Sequence, residues 1–294
     1  MIKGLKSNKL EDIWWWFVNE LSSKYNVNEA KAIGYNLFEF YFGINYADFF
    51  LRKDQRFGES AIVSLYKAIL KLKKDTPVQY ITGISFFREL KLNVSPHVLI
   101  PRPETEELAG WVKDDICRKE GYPSIEIALW DIGTGSGAIA LSLATELKEI
   151  RVWASDISSA ALSMAAANAL NNNAKVSFFQ HDILHDPPPN IQIDCIISNP
   201  PYVRNSEKSL MLKNVVDHEP SLALFVTDDN PLIFYEAIAS AAKRVLKPGG
   251  FVYVEINESL ASETGNVFSE NGFVNVEVRN DINDKPRFIR SQFL

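Results

Sequence analysis

The feature that most constrains the fold is an apolar segment, Ile125 to Trp130, that leads into the glycine-rich loop Asp131 to Gly137 and then into a helix-like stretch, Ala138 to Leu147. A buried strand that turns through glycines into a helix is typical of nucleotide-binding α/β sheets. Further strand and helix patterns alternate after it, and two more strands are predicted near residues 273–279 and 287–293. The alternation predicts a mostly parallel sheet with helices on both faces.

The first 75 residues have a different pattern. They lack strand-like alternation, and apolar residues such as Ile13 and Phe17 recur at helical spacing. We predict a small helical bundle in residues 1–75, a hairpin or extended linker in residues 76–100 and an α/β domain in residues 101–294. The bundle is rich in aromatic residues, which we interpret as core, with a docking surface for a protein partner as the alternative.

Charge and cysteine content narrow the classes of function. The formal net charge of −6 at pH 7 gives no long-range attraction to phosphate backbones, so we expect no stable nucleic-acid binding. No apolar run reaches the roughly 18 residues needed to cross a membrane. The two cysteines, Cys117 and Cys195, have no paired spacing. We therefore expect a cytoplasmic protein without a membrane anchor. We also expect a monomer.

A second motif, Ser198-Asn199-Pro200-Pro201-Tyr202, ends the strand predicted over residues 191–198. Proline lacks a backbone N–H, so consecutive prolines leave nearby carbonyls free to accept hydrogen bonds from another molecule. Together with the Asn199 carboxamide and the flat ring of Tyr202, these carbonyls suit a planar group that carries an NH₂, such as an amide or an exocyclic amine. The alternative is an ordinary strand-ending proline turn.

The glycine loop and two later strand ends predict a nucleotide-like ligand. Ligands of doubly wound sheets bind beyond the carboxyl ends of the strands, where glycines let the backbone come close. Asp156, about 20 residues after the loop, is expected to take two ribose hydroxyls. Asp182 and Ile183 would bind an adenine amino group and pack its ring. The loop alone also fits a nicotinamide enzyme, whereas Asp131 favours the ammonium group of an amino-acid moiety over a pyrophosphate.

A metal site is the rival interpretation of the histidines. His181 and His185 have the spacing of one helical face, but the three prolines that begin at Pro187 disfavour a helix there. We therefore predict no metal.

Several motifs together resemble the release-factor glutamine methyltransferases over nearly the whole chain. They are Pro77-Val78-Gln79-Tyr80-Ile81-Thr82-Gly83, Leu99-Ile100-Pro101-Arg102-Pro103-Glu104-Thr105-Glu106, the loop Asp131 to Gly137, Asn199-Pro200-Pro201-Tyr202, and Glu219-Pro220 with Ala223-Leu224. The second is the most family-specific, whereas the Asn-Pro-Pro-Tyr turn is shared with DNA adenine methyltransferases. The chain departs from the family at Asn257, which follows Glu255-Ile256 where a glycine is usual, and this puts the local loop shape in question.

The resemblance implies a seven-stranded, doubly wound class I methyltransferase fold of the α/β class, with an antiparallel last strand and a small N-terminal helical bundle domain that docks the substrate. It also implies S-adenosylmethionine as cofactor, with S-adenosylhomocysteine as product. The implied reaction methylates the side-chain amide nitrogen of the glutamine in the Gly-Gly-Gln motif of class I peptide chain release factors. The alternative is an N6-adenine DNA or RNA methyltransferase, for which the chain lacks a basic target-reading region.

The expected site residues follow from the motifs and the resemblance. The catalytic residues are Asn199, Pro200 and Tyr202. The substrate-binding residues are Asn199, Pro200, Pro201, Tyr202, Arg102 and Glu104. The cofactor-binding residues are Gly133, Thr134, Gly135, Ser136, Gly137, Asp156, Asp182, Ile183 and Asn199.

Overall fold

The computed structural model describes residues 2–294. The chain divides into two compact units, one made of the first 83 residues with Leu212–His218, the other of Ile84–Met211 with Glu219–Leu294. Residues 76–83 thus go with the first unit and residues 84–100 with the second. The domain boundaries at residues 75 and 100 stay predictions.

The helices, in chain order, are α1 (Leu10–Leu21), α2 (Val27–Phe42), α3 (Asp48–Leu51), α4 (Glu59–Leu72), α5 (Val78–Thr82), α6 (Pro103–Arg118), α7 (Ala138–Glu146), α8 (Ser159–Asn171), α9 (Lys213–Val216), α10 (Ile233–Val245) and α11 (Ala261–Glu270). The strands are β1 (Ile84–Phe87), β2 (Leu90–Asn93), β3 (Ile127–Ile132), β4 (Ile150–Asp156), β5 (Val176–Gln180), β6 (Ile193–Ser198), β7 (Val203–Arg204), β8 (Phe225–Val226), β9 (Leu246–Glu255), β10 (Val274–Asn280) and β11 (Pro286–Gln292).

The first unit packs its helices around an aromatic core, as the sequence predicts. Trp14 and Phe17 on α1 are buried, whereas Trp15 is 49% exposed because the helical turn directs it away from the core. A Cβ added to Gly34 on α2 would lie 2.7 Å from the Trp14 ring, so this glycine lets α1 and α2 approach closely. Asn26 caps α2 by accepting a hydrogen bond from the Glu29 N–H at 3.0 Å.

The prediction of a hairpin or extended linker was wrong over Val78–Thr82, which forms the helix α5. Pro77 precedes this helix, and its carbonyl accepts the Tyr80 N–H at 3.0 Å. Gly83 ends it in the left-handed region at φ 73°. The prediction holds further along the chain, where β1 and β2 form an antiparallel hairpin.

The second unit contains a seven-stranded sheet of order β10-β11-β9-β6-β3-β4-β5. The strand β11 is antiparallel to both β10 and β9, and the other neighbours pair in parallel. Alternate residues of β3 enter opposite cores, because side chains along a strand alternate between its faces. Leu129 packs with α6, α7 and α8, whereas Trp130 packs with α10 and α11. The seven-stranded, doubly wound prediction and its antiparallel last strand are confirmed.

The topology brings the two main motifs together. From β3 the chain first adds β4 and β5 on one side and then places β6 on the other, so β3 and β6 flank the point where the strand order reverses. Ile132 at the end of β3 is in register with Ser198 at the end of β6. The glycine loop and the Asn-Pro-Pro-Tyr turn therefore leave the sheet side by side, where ligands of such sheets bind.

Candidate active site

Asp131, the penultimate residue of β3, stabilises the glycine loop through hydrogen bonds. One oxygen of its buried carboxylate accepts hydrogen bonds from Thr134 Oγ1 at 2.7 Å and from the Ala140 N–H at 3.2 Å. Burial raises the pKa of Asp131 to about 7, against the lowering effect of these two hydrogen bonds. The Asp131 side chain is fully buried under the loop and lies outside the cavity lining, so its preference for a ligand ammonium stays a prediction.

The three loop glycines have two different functions. Gly133 and Gly135 have φ of 75° and 54°, and a Cβ added to either would meet nothing within 4 Å. Both line the cavity, so their missing side chains leave room for a ligand. Gly137, at φ 85°, lies outside the lining, and its Cβ would come within 3.0 Å of Leu141 and 3.2 Å of Ala165. Gly137 therefore serves helix packing, while Thr134 and Ser136 line the cavity with the first two glycines.

Asp156 ends β4 at the rim of the same cavity. Its Oδ2 accepts the Gly135 N–H and its Oδ1 accepts the Ser158 N–H, both at 2.9 Å. Burial raises the pKa of Asp156 above its ordinary value, although these backbone hydrogen bonds oppose the shift. Each carboxylate oxygen has about two acceptor sites. Acceptor capacity therefore remains on this carboxylate for a ligand hydroxyl group.

Asp182 and Ile183 line the cavity just after β5. The Asp182 carboxylate accepts the Leu184 N–H at 2.9 Å and lies 2.8 Å from His185 Nδ1. Burial would raise the pKa of Asp182, but the hydrogen bonds from His185 and Leu184 outweigh it and the pKa is lowered. Within residues 2–294, no cluster of three or more histidine, cysteine or acidic side chains suits a metal ion.

The Asn-Pro-Pro-Tyr turn follows β6 and is tied to two other elements. Asn199 Nδ2 donates to Thr105 Oγ1 at 3.0 Å, and Thr105 Oγ1 donates to Glu255 Oε2 at 2.7 Å. The Tyr202 hydroxyl donates to the other oxygen of Glu255 at 2.9 Å. Asn199 and both prolines line the cavity, whereas Tyr202 lies outside the lining and packs against the core of α10 and α11. A direct contact between Tyr202 and a substrate stays a prediction.

Thr105 and Glu255 are site residues for which the sequence analysis assigned no role. Thr105 lies in the first turn of α6, which begins with Pro103 as helices often do. Glu255 ends the apolar segment of β9 and is 2% exposed. A lone carboxylate at the end of a buried strand requires hydrogen-bond partners. That requirement is the signal in the sequence that could have directed attention to it.

The Arg102 side chain is paired within the protein and also lines the cavity. Its guanidinium lies 2.5 Å from Oε1 of the buried Glu219, whose Oε2 accepts the Ile100 N–H at 3.2 Å. This ion pair joins the Pro-Arg-Pro segment to the Glu219-Pro220 segment. Glu104 lies outside the cavity lining. The role of either residue in substrate binding stays a prediction.

The family departure at Asn257 braces the loop after the turn. Asn257 Nδ2 donates to the Tyr202 carbonyl at 3.2 Å and to Glu207 Oε2 at 2.9 Å, and Oδ1 accepts the Ser259 N–H at 3.0 Å. A glycine could make none of these side-chain hydrogen bonds. The substitution is therefore accommodated by contacts that fix the backbone of the motif.

The cavity that these elements enclose has a volume of about 480 Å³, within the usual range for small-molecule sites. Its walls are the strand-end loops, the segment around Arg102 and the residues Pro220, Leu222 and Ala223. A more open groove of about 590 Å³ runs along β4, β5 and α8, but it contains none of the motifs. The open space over Gly133 and Gly135 and the remaining acceptor sites of Asp156 fit a nucleoside-containing cofactor.

Comparison with known proteins identifies the family. Residues 12–83 match the family described as PrmC N-terminal domain, and residues 123–221 match the family described as Methyltransferase small domain. A protein of Flavobacterium psychrophilum named release factor glutamine methyltransferase is 38% identical over 277 residues, which cover 94% of this chain and 96% of the relative. This chain belongs to the release factor glutamine methyltransferase family. A member from Bacteroides thetaiotaomicron is 40% identical over 81% of this chain and 84% of its own length.

Solved structures support the fold of this family member. A methyltransferase of Pyrococcus furiosus, 18% identical, has a TM-score of 0.50 and covers 69% of this chain and 88% of its own. The human methyltransferase 10 domain containing protein, also 18% identical, has a TM-score of 0.50 over 70% and 90% of the two chains. At this identity the likeness concerns the fold alone. The predicted class I methyltransferase fold is confirmed.

Proposed function

We propose that this enzyme transfers a methyl group from S-adenosylmethionine to the side-chain amide nitrogen of the glutamine in the Gly-Gly-Gln motif of class I peptide chain release factors. The observation that carries the proposal is the orientation of Asn199 at the cavity wall. Its Nδ2 is engaged by Thr105, so its carboxamide oxygen remains to accept a hydrogen from an NH₂ group. The names of the family members support a glutamine amide as that group.

The residues that hold S-adenosylmethionine are those of the glycine loop and the next two strand ends. Gly133, Gly135 and Ser136 would bring the backbone close to the amino-acid moiety, Asp156 would accept the ribose hydroxyls, and Asp182 with Ile183 would bind the adenine. When bound, the cofactor supplies an electrophilic methyl group on a sulfonium. Asn199 lies at the junction of this site and the substrate site, because it lines the same cavity as Asp156.

The chemical problem lies in the substrate, because an amide nitrogen is a poor nucleophile whose lone pair is delocalised into the carbonyl. Asn199 Oδ1 and the Pro200 carbonyl would accept its two hydrogens and orient it for attack. Methylation of the nitrogen would release S-adenosylhomocysteine and one of these hydrogens as a proton. Arg102 and Glu104, with Pro201 and Tyr202, shape the surroundings of the amide. Positioning of two reactants contributes up to about 7 to 11 kcal/mol, and oriented dipoles add a few kcal/mol for each group. Positioning is therefore the larger effect.

The helical unit is proposed to dock the release factor. It carries large apolar side chains on its surface, among them Trp15 at 49%, Tyr46 at 60% and Phe50 at 71% exposed. If these residues contact the partner, Phe50→Ala should lower kcat/KM for the intact release factor and leave a short Gly-Gly-Gln peptide unaffected. The matched control is Leu170→Ala, which removes another highly exposed apolar side chain, 81% exposed, from the other unit.

None of the helices formed by residues 2–294 combines the length and apolar character that a membrane crossing requires. We propose that the enzyme works in the cytoplasm as a monomer, without stable binding to nucleic acid. The acidic net charge of −6 supports the last point.

The deciding experiment incubates the protein with S-adenosylmethionine and a purified class I release factor, followed by mass spectrometry of the Gly-Gly-Gln peptide. We expect one added methyl group on the glutamine, and a much slower but measurable reaction with Asn199→Ala. A parallel reaction with duplex DNA tests the adenine alternative. Methyl transfer to DNA with an unmodified release factor would overturn the proposal.

A further inference from the structure

We propose that Thr105 and Glu255 are positioning residues that determine whether Asn199 presents its carboxamide oxygen or its nitrogen to the substrate. The inference rests on the proposed function, because it concerns the acceptor for the substrate amide. Both residues stand within segments that carry the family resemblance, Thr105 in the first turn of α6 and Glu255 at the end of β9, but neither was among the predicted site residues.

The three side chains form one directed chain of hydrogen bonds. Glu255 Oε2 accepts from Thr105 Oγ1 at 2.7 Å, and Thr105 Oγ1 accepts from Asn199 Nδ2 at 3.0 Å. Thr105 is 5% exposed and Glu255 is 2% exposed, so water does not compete freely for these bonds. The chain therefore couples a buried carboxylate to the cavity wall.

The number of protons on each group determines which group donates each hydrogen bond of this chain. Both oxygens of Glu255 accept hydrogen bonds, one from Thr105 and one from the Tyr202 hydroxyl. Burial raises the pKa of Glu255, but these two hydrogen bonds favour its ionised form, and the direction of the chain is that set by the carboxylate. The Thr105 hydroxyl has one proton, and it is given to Glu255. Toward Asn199, Thr105 can therefore only accept, so Asn199 must present its Nδ2 and not its Oδ1 to Thr105.

The consequence for the substrate is a fixed acceptor. A carboxamide has two donors on nitrogen and an acceptor oxygen, and without a constraint it can rotate by half a turn with little change in shape. With Nδ2 committed to Thr105, the oxygen of Asn199 faces the cavity for a substrate NH₂. If the carboxamide were reversed, it would oppose the substrate NH₂ with its own NH₂.

Two substitutions at position 105 separate the effect of the hydroxyl group from the effect of the side-chain shape. Thr105→Val keeps the branched shape and removes the hydroxyl, and Thr105→Ser keeps the hydroxyl. We expect Thr105→Val to lower kcat for release-factor methylation about tenfold, the scale of a lost oriented hydrogen bond, while KM and cofactor affinity change little. Thr105→Ser should restore most of the rate. Thermal unfolding and calorimetric cofactor titration check that each variant is folded.

A double-mutant cycle tests whether the effect passes through Asn199. In the Asn199→Ala background, Thr105→Val should cause almost no further loss, because residues that act through one group are not additive. Glu255→Gln is a second route to the same test, since its amide nitrogen replaces one accepting oxygen and deprives either Thr105 or Tyr202 of its acceptor. We expect a lower kcat that again disappears in the Asn199→Ala background.

The outcomes separate the two proposals. Suppose that the wild-type protein methylates the release factor. The positioning role is overturned if Thr105→Val has the wild-type kcat, or if it lowers kcat by the same factor in the wild-type and Asn199→Ala backgrounds. In either case the proposed function stands. Equal losses in Thr105→Val and Thr105→Ser would likewise overturn the positioning role. If the wild-type protein leaves the release factor unmodified, the proposed function itself fails.

Discussion

Alanine at two positions of the glycine loop should separate the stability of the fold from cofactor binding. At Gly137 the backbone has φ 85°, and an added Cβ would lie 3.0 Å from Leu141 Cδ1 and 3.2 Å from Ala165 Cβ. The left-handed backbone costs about 1–2 kcal/mol for a non-glycine residue, and overpacking costs about 1–3 kcal/mol more. We therefore expect Gly137→Ala to lower the free energy of unfolding by about 2–5 kcal/mol.

Gly135→Ala should behave differently. Its φ is 54°, so the backbone cost of about 1–2 kcal/mol remains. No atom lies within 4 Å of the added Cβ, so the overpacking cost is absent. Because Gly135 lines the cavity, the added methyl group would occupy space that we propose for the cofactor. We expect the cofactor affinity to fall more than about tenfold, or 1.4 kcal/mol.

Urea unfolding of both variants gives the two stabilities, and calorimetric titration with S-adenosylmethionine gives the affinities. The matched pair differs only in what surrounds the added methyl group, so each variant serves as the control for the other. Unchanged cofactor affinity in Gly135→Ala would refute the placement of the cofactor over this loop. A loss of stability in Gly135→Ala as large as in Gly137→Ala would refute the packing argument.

Three further predictions follow from buried groups. Arg102→Ala should lower the free energy of unfolding by about 2 kcal/mol, because Glu219 keeps a buried charge without its partner. The partial exposure of Arg102 keeps this loss below that of a fully buried pair. Unchanged urea unfolding would show that the pair does not stabilise the fold. The free energy of unfolding of the wild-type protein relative to that of Asp131→Asn should be highest below pH 3.8 and fall as the pH rises to about 7. The cause is that Asp131 keeps a proton in the folded state over this range, whereas the unfolded state releases it. A difference that does not change with pH would contradict this. Gly34→Ala should destabilise the helical unit by about 1–3 kcal/mol through its contact with Trp14, measured by thermal unfolding.

The architecture of the second unit was predictable because burial on both faces of a parallel sheet imposes long apolar strands separated by helices. The register between Ile132 and Ser198 then follows from strand order, which places two motifs side by side. The helix Val78–Thr82 was not predictable in the same way. Five residues are too few to distinguish the apolar spacing of a helical turn from the alternating pattern of a strand. The left-handed C-cap at Gly83 is what identifies the segment as a helix.

The supporting contacts of the site were beyond the reach of sequence patterns. Thr105 lies 150 residues from Glu255 and 94 residues from Asn199 along the chain, so no local periodicity relates them. Asp131 shows the same limit. Its position before the glycines indicated an important carboxylate, but the hydrogen bonds that it accepts from Thr134 and from the Ala140 N–H depend on the folded loop, which the motif does not specify.

The polar residues of the site use most of their hydrogen-bonding capacity on one another, and this determines what the cavity offers a ligand. The Thr134 hydroxyl and the Asn199 Nδ2 donate inward, and the Gly135 N–H donates to Asp156. Acceptor groups remain at the cavity wall for a ligand, among them the oxygen of Asn199 and the carboxylate of Asp156, whereas the guanidinium of Arg102 at the same wall is already paired with Glu219. We expect such acceptors to favour ligands that bring donors, such as ribose hydroxyls and an amide NH₂. On this reasoning, hydrogen bonds made within the protein before any ligand binds set the orientation of these acceptors.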